Sequence, residues 1–190
     1  MPRTRAPSDR SRKPLGAAKL DELALAYVAR FATSRAKLTR YLTRKVRESE
    51  WTGESDAMAA CEAVADRMER LHFLDDKQYA VMRAGAMTRR GLGARRVKAQ
   101  LFVDGIDPSD SDEAITGAEE QAVAAAIGFA RRRRFGPFAV RASVDPKDRE
   151  RQIAAFARAG HSLVLARRIL AVPPGDAEAL AALDAEAALD

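Results

Sequence analysis

Apolar residues recur along this chain at intervals of three and four and almost nowhere in strict alternation, a pattern that predicts helices. Leu20, Leu23, Ala24, Tyr27, Val28 and Phe31 form one continuous helical stripe. Ser34 stands where it can cap a second helix, whose stripe is Leu38, Tyr41, Leu42 and Val46. Beyond Gly53, a third stripe runs Ala57, Ala60, Cys61, Val64, Met68 and Leu71. A fourth helix starts at Asp75 or Asp76, with Tyr79, Met82 and Ala86 inward. After the break Arg90-Gly91-Leu92-Gly93, a fifth turns Ala94, Val97 and Leu101 inward and stops at Gly105.

Two later helix starts share one signature. Asp107-Pro108-Ser109-Asp110 and Asp145-Pro146-Lys147-Asp148 each pair an N-cap Asp with a proline at the first helical position and an acid in the first turn. A helix from about Ala118 to Arg134 is expected between them. Two more carry Ile153, Phe156 and Ala157, then Leu163, Ala166, Ile169 and Leu170. Pro173-Pro174-Gly175 is expected to end the fold, leaving an acidic, Ala-rich tail as a frayed helix or a disordered segment. No proline interrupts residues 15–107. The chain is therefore expected to be all-α.

The spacing of the breaks repeats at about 50 residues, one helix–turn–helix–turn–helix unit at a time. The expected organisation is a basic, disordered extension over 1–18, three-helix repeats over 19–72, 73–117 and 118–172, and the tail over 173–190. Leu101-x-x-x-Gly105-Ile106 and Phe156-x-x-x-Gly160-His161 are the best internal match, each a large apolar residue four before a helix-ending glycine. A unit this small buries little alone, so stacked neighbours must supply core, and an elongated array is expected.

Composition narrows the function classes. The 190 residues are 47% hydrophobic and 32% charged, which fits a folded soluble domain rather than a membrane-embedded or disordered chain. The longest apolar run is far too short to span a bilayer, and the basic start of the chain has no apolar segment of a signal peptide behind it. One cysteine permits no intramolecular disulfide and fits the cytoplasm. With only two histidines, His72 and His161, a zinc cluster lacks ligands. Cys61 lies on an apolar stripe and reads as a core thiol, and both histidines fall in turns, where a structural or surface role is expected. No phosphate loop of the P-loop or Rossmann type occurs. The turn around Gly91 and Gly93 could offer amides to a phosphate, but a plain glycine turn is the favoured reading. No enzyme, metal or cofactor is expected.

Charge carries the positive signal. The net charge is +6, with +4 in residues 1–14, −5 in 175–190 and +7 in the body between them. Three basic clusters stand out: Arg40, Arg44, Lys45 and Arg47; then Arg89, Arg90, Arg95, Arg96 and Lys98; then the run Arg131, Arg132, Arg133 and Arg134. Together they predict a polyanionic partner, a DNA backbone or an acidic protein groove. With 6% aromatics, mostly on core stripes, base stacking is not expected. Nothing marks a dimer seam, so a monomer is expected.

The segment Leu71-His72-Phe73-Leu74-Asp75-Asp76-Lys77-Gln78-Tyr79-Ala80, the turn Arg89-Arg90-Gly91-Leu92-Gly93-Ala94-Arg95-Arg96-Val97 and the exit Leu101-Phe102-Val103-Asp104-Gly105-Ile106 resemble the RecX family of recombination regulators. The resemblance covers about residues 23–172. It implies tandem three-helix repeats and a non-enzymatic protein that binds the RecA recombinase filament on single-stranded DNA. Reduced strand exchange, ATP hydrolysis and co-protease activity, in DNA repair and the SOS response, would follow. Phe102 and Val103 stand where that family often carries charge. The competing reading is a helix-turn-helix DNA-binding protein, with residues 34–46 as recognition helix and Arg35, Lys37, Arg40 and Arg44 toward a groove.

Overall fold

The computed structural model describes residues 12–141 and 145–186. Of the expected basic extension, residues 1–11 lie outside the described residues. The chain divides into two compact units, one ending at Asp75 and one starting at Asp76.

The first unit holds helices α1 (Ala17–Arg30), α2 (Arg35–Arg47) and α3 (Ala57–Arg70). Ser34 caps α2 by accepting from the Lys37 amide, and Asp56 caps α3 by accepting from Met58 and Ala59. The apolar stripes converge on Leu20, Ala24, Leu38, Leu42, Val46, Cys61, Val64 and Met68. Burial pushes the Cys61 thiol up, as suits a core residue. Regular structure is present within the expected extension over 1–18. Strand β1 (Pro14–Leu15) pairs in parallel with β2 (Glu50–Trp51), and Leu15 is buried in the core. Two-residue strands are too short to leave an alternating signature, which is why the sequence pattern misses them. Leu74 completes this core. Phe31 and Leu71, at the ends of their stripes, are exposed.

The second unit holds α4 (Asp76–Arg89), α5 (Ala94–Asp104), α6 (Pro108–Glu120), α7 (Ala122–Arg133), a 3-10 turn (Gly136–Phe138), α8 (Pro146–Ala159), α9 (Leu163–Ala171) and α10 (Ala177–Glu186). Both Asp-Pro starts form as expected. Asp107 accepts from the Ser109 amide and Asp145 from the Lys147 amide, each at 2.9 Å. Gly105 and Gly160 stop their helices at positive φ.

Four expectations are corrected here. In α4 the buried positions are Tyr79, Ala80, Ala84, Met87 and Thr88, while Met82 is exposed. Ala80 and Ala84 share a core with Ala114 and Ala118 of α6, and small residues let those two helices approach closely. Large side chains alone therefore misjudge the face. The helix expected from Ala118 to Arg134 is two helices. α6 runs on through Glu120, and Gln121 (φ −92°, ψ 12°) turns the chain before α7. On α9, Leu165 is buried and Leu163 exposed. Finally, the fold does not end at Pro173-Pro174-Gly175. Gly175 donates to the Pro137 carbonyl, and α10 brings Leu183 into the core with Phe156 and Ile169.

Candidate functional site

The basic cluster of the first unit lies on α2. Lys37, Arg40, Tyr41 and Arg44 are spaced at three, four and seven residues and so share one helix face. Against them α1 sets Tyr27, Arg30 and Phe31, and a groove of about 700 Å³ opens between the two helices. Tyr27 stacks on Tyr41 at 4.2 Å and 19°, and Phe31 continues the aromatic row 5.2 Å from Tyr27. The cations sit on this row: Arg30 over Phe31 at 5.4 Å, Arg44 over Tyr41 at 5.7 Å and Lys45 over Tyr41 at 5.9 Å. Lys45 also pairs with Glu48 at 3.1 Å. Arg47 joins Arg40 and Arg44 around a smaller hollow with Thr39 and Thr43.

This arrangement corrects two expectations. Aromatic residues do reach a surface site, because Tyr27 and Tyr41 are half-buried edges of the core stripe and Phe31 is 48% exposed. The stripe pattern hides this, since it cannot separate the centre of a buried face from its rim. The four-cation recognition set of α2 does not assemble either. Arg35 is bound to α3, 2.8 Å from Glu62 and 2.5 Å from Asp66. The hydrogen bond with Asp66 raises its pKa further.

In the second unit Arg89, Arg90, Arg95, Arg96 and Lys98 are exposed around the glycine turn. The amides of Gly91, Leu92 and Gly93 are all engaged. Gly91 (φ +75°) donates to Thr88, Leu92 to Met87 and Gly93 to the Ala159 carbonyl at 2.9 Å. The Gly93 carbonyl accepts from Arg96 and Val97. No amide of Gly91-Leu92-Gly93 is left for a phosphate, so the turn is a packing device. A Cβ on Gly93 would lie 2.4 Å from the Gly160 carbonyl oxygen, and one on Gly160 2.4 Å from the Arg96 nitrogen. The two glycines are thus needed for backbone-on-backbone contact.

His161 locks this contact. Its Nε2 donates to the Gly91 carbonyl at 3.0 Å, which leaves Nδ1 as the unprotonated nitrogen. Among the described residues Nδ1 meets no hydrogen-bond partner. The ring is only 3% exposed and lies 5.6 Å from both Phe129 and Phe156. Burial lowers its pKa, and the bond to Gly91 only partly opposes this. His72, by contrast, is exposed at a positive φ of 59°.

The run Arg131–Arg134 does not act as one patch, because successive helical residues point 100° apart. Arg131 lies over Phe138 at 5.1 Å and Arg133 over Phe135 at 5.6 Å. Arg132 folds over Gly91, so close that a Cβ there would meet its guanidinium at 1.8 Å. Arg132 is thereby brought to the turn that Arg89 and Arg90 lead into.

A buried network explains two positions of the family-like segments. Tyr79 donates to Asp104 at 2.7 Å, Gln100 donates to the other carboxylate oxygen at 3.0 Å, and Arg83 approaches at 3.5 Å. Burial, then the carboxylate beside it, raises the Tyr79 pKa. Phe102, 81% exposed, and Val103 point outward on the same helix. Among the described residues no group of three or more His, Cys, Asp or Glu could hold a metal ion, and no helix is long and apolar enough to cross a membrane.

No family model matches the chain. Curated relatives do. It is 30% identical over 156 residues to the regulatory protein RecX of Myxococcus xanthus (strain DK1622), covering 80% of this chain and 83% of the relative. It is also 30% identical over 138 residues to the regulatory protein RecX of Agrobacterium fabrum (strain C58 / ATCC 33970), covering 72% and 73%. A crystal structure of regulatory protein RecX shares the fold, with a TM-score of 0.58 and 18% identity over 80% of this chain and 70% of the other. This chain belongs to the RecX family of regulatory proteins.

Proposed function

We propose that this chain is a non-enzymatic modulator that binds the RecA recombinase filament on single-stranded DNA and restrains its recombinase, ATPase and co-protease activities. The observation that carries this reading is the 30% identity, over four-fifths of the chain, to a relative named regulatory protein RecX. Charge supports it: a body of +7 favours a partner that is itself bound to a polyanion. Three separate apolar clusters, one in the first unit and two in the second, support an array of three three-helix repeats. In this reading the chain acts as a cytoplasmic monomer in DNA repair and the SOS response. It needs no metal or cofactor, and exposed arginines of each repeat contribute to the partner surface.

The test is a pull-down with RecA, with and without single-stranded DNA and ATP, followed by an ATPase assay. Retention on the filament with slowed ATP hydrolysis is expected. An unchanged ATPase rate at saturating chain would overturn the proposal. Within it, changing Arg89, Arg90, Arg95 and Arg96 together to Ala should weaken filament binding while helicity stays native. Intact inhibition by that variant would remove these four residues from the contact.

A further inference from the structure

We propose that the pocket between the 3-10 turn, α8 and the end of α9 binds an acidic protein segment, with a carboxylate on Arg141 and Arg149 and an adjoining apolar side chain against Leu170, Val172 and Pro174. This site needs neither RecA nor nucleic acid, so it stands or falls apart from the function proposed above.

Three observations carry it. The first is charge without a counter-charge. Arg141 and Arg149 line the pocket with Gln152, and among the described residues none of those lining it is acidic. Among the described residues neither arginine makes an ion pair or a side-chain hydrogen bond, so capping the C-terminal carbonyls of α9 does not use them. Neighbouring carboxylates are committed elsewhere. Asp145 accepts from the Lys147 amide, Asp148 pairs with Arg151 at 2.9 Å, and Asp176 accepts from the Ala179 amide. Glu150 follows Arg149 on the helix and so points about 100° away from it. A guanidinium in this position can take a carboxylate through two parallel hydrogen bonds. The second observation is the apolar wall. Leu170, Val172 and Pro174 face the same space, and prolines bring no N–H to it. A bare inorganic anion would leave that wall unused. Among the described residues no aromatic ring lines the pocket, so it lacks the stacking platform of a nucleic-acid strand. A protein segment with a carboxylate beside an apolar side chain uses both walls, and Gln152 can meet its backbone. The third observation is a rigid frame of matching size. Gly175 donates to the Pro137 carbonyl at 3.0 Å and ties the proline pair to the 3-10 turn. Gly136 lies so close to α9 that a Cβ there would sit 2.9 Å from the Ile169 carbonyl oxygen. Arg149 and Gln152 are three apart on α8 and share its face. The walls are therefore set before any ligand arrives, which lowers the cost of binding. The volume is about 270 Å³, below the roughly 300–1,000 Å³ that enclose a drug-sized ligand, so the pocket suits about one or two side chains of a longer segment.

The probe is a short fluorescein-labelled peptide in which aspartate and leucine alternate, its anisotropy read with the full chain and no RecA. Arg141→Ala and Arg149→Ala should each weaken binding at least about tenfold, the usual loss for a hydrogen bond to a charged group. Ala171→Glu sets a carboxylate at the exposed edge of the pocket and should abolish binding, while Ala171→Gln should retain it. Arg158→Ala removes the same charge from α8 outside the pocket and should leave binding unchanged. All four substituted positions are exposed, so circular dichroism should stay native in every variant. Failure of the wild-type chain to bind would overturn the proposal. Equal binding of a peptide with asparagine for aspartate would do the same, as would equal binding of one with alanine for leucine. An equal loss in Arg158→Ala would reduce the binding to general attraction by a basic chain and overturn it too. Displacement by inorganic phosphate as effective as by unlabelled peptide would reassign the pocket to a phosphate, and equal displacement by oligothymidylate would reassign it to nucleic acid.

Discussion

The two best-defined basic regions of this protein use arginine in opposite ways. In the first unit, Arg30, Arg40 and Arg44 border an open groove whose floor is a row of aromatic rings. The backbone beneath them is ordinary helix, and the side chains carry whatever the region does. In the second unit, Arg89, Arg90 and Arg132 gather around a glycine turn whose own backbone is buried against the turn Ala159–His161. There the main chain is the working part, and the nearby arginines border a structural joint. Equal charge density therefore does not mean equal role. What distinguishes the two is which atoms behind the arginines are already committed.

If that contrast is right, substitutions at the joint should cost stability and substitutions in the groove should not. The largest loss should come from Phe156→Ala. This ring is fully buried among Phe129, Phe135 and His161, and removing it should destabilise by about 3–5 kcal/mol in urea unfolding. Gly93→Ala should follow at roughly 1–3 kcal/mol, since its methyl group collides with the Gly160 backbone and neither turn can retreat freely. A loss within ~0.5 kcal/mol, usual for surface changes, would show the glycine contact to be slack. Tyr79→Phe should cost about 1–2 kcal/mol, because Asp104 stays buried after losing one of its donors.

His161 sharpens the comparison through pH. Its folded-state pKa is held below the ordinary 6.5. As the pH falls through that value, the unfolded chain takes up the proton first, so stability declines until the folded state protonates as well. Urea midpoints at about pH 7.5 and about pH 5.5, on either side of the ordinary histidine value, should differ in the wild type. The difference should shrink in His161→Phe. An identical difference in both proteins would place the sensitivity elsewhere. Smallest of all, Phe31→Ala in the groove should change stability by no more than ~0.5 kcal/mol. A large loss of stability there would erase the distinction between the two regions.

Much of this architecture is legible without coordinates. Ser34, Asp107 and Asp145 announce helix starts because their oxygens satisfy free amides of the first turn, a local bond that depends on neighbours in sequence. Gly105 and Gly160 announce stops for a similarly local reason. The inward face of α4 is less legible, since Ala80 and Ala84 are buried by the closeness of α6 and not by their own hydrophobicity. Leu183 in the tail is missed because only two leucines, Leu180 and Leu183, on an otherwise Ala-rich helix make too short a stripe until α7 lies beside them.

The candidate groove divides in the same way. Arg40 and Arg44 are visible as charges, and their helical spacing with Lys37 and Tyr41 could have marked a mixed basic and aromatic face. Tyr27, Arg30 and Phe31 are not visible as partners, because they belong to another helix.

By itself, then, the sequence determines that this protein is helical, where most of its helices begin and end, that it is basic, and which family it resembles. These follow from bonds and periodicities within a few residues of one another. Tertiary structure alone decides which arginines are spent on partners far away in sequence: Arg35 on the carboxylates of α3 and Arg132 over Gly91. A charged side chain is long and flexible, and its partner is chosen by whatever packing brings within reach.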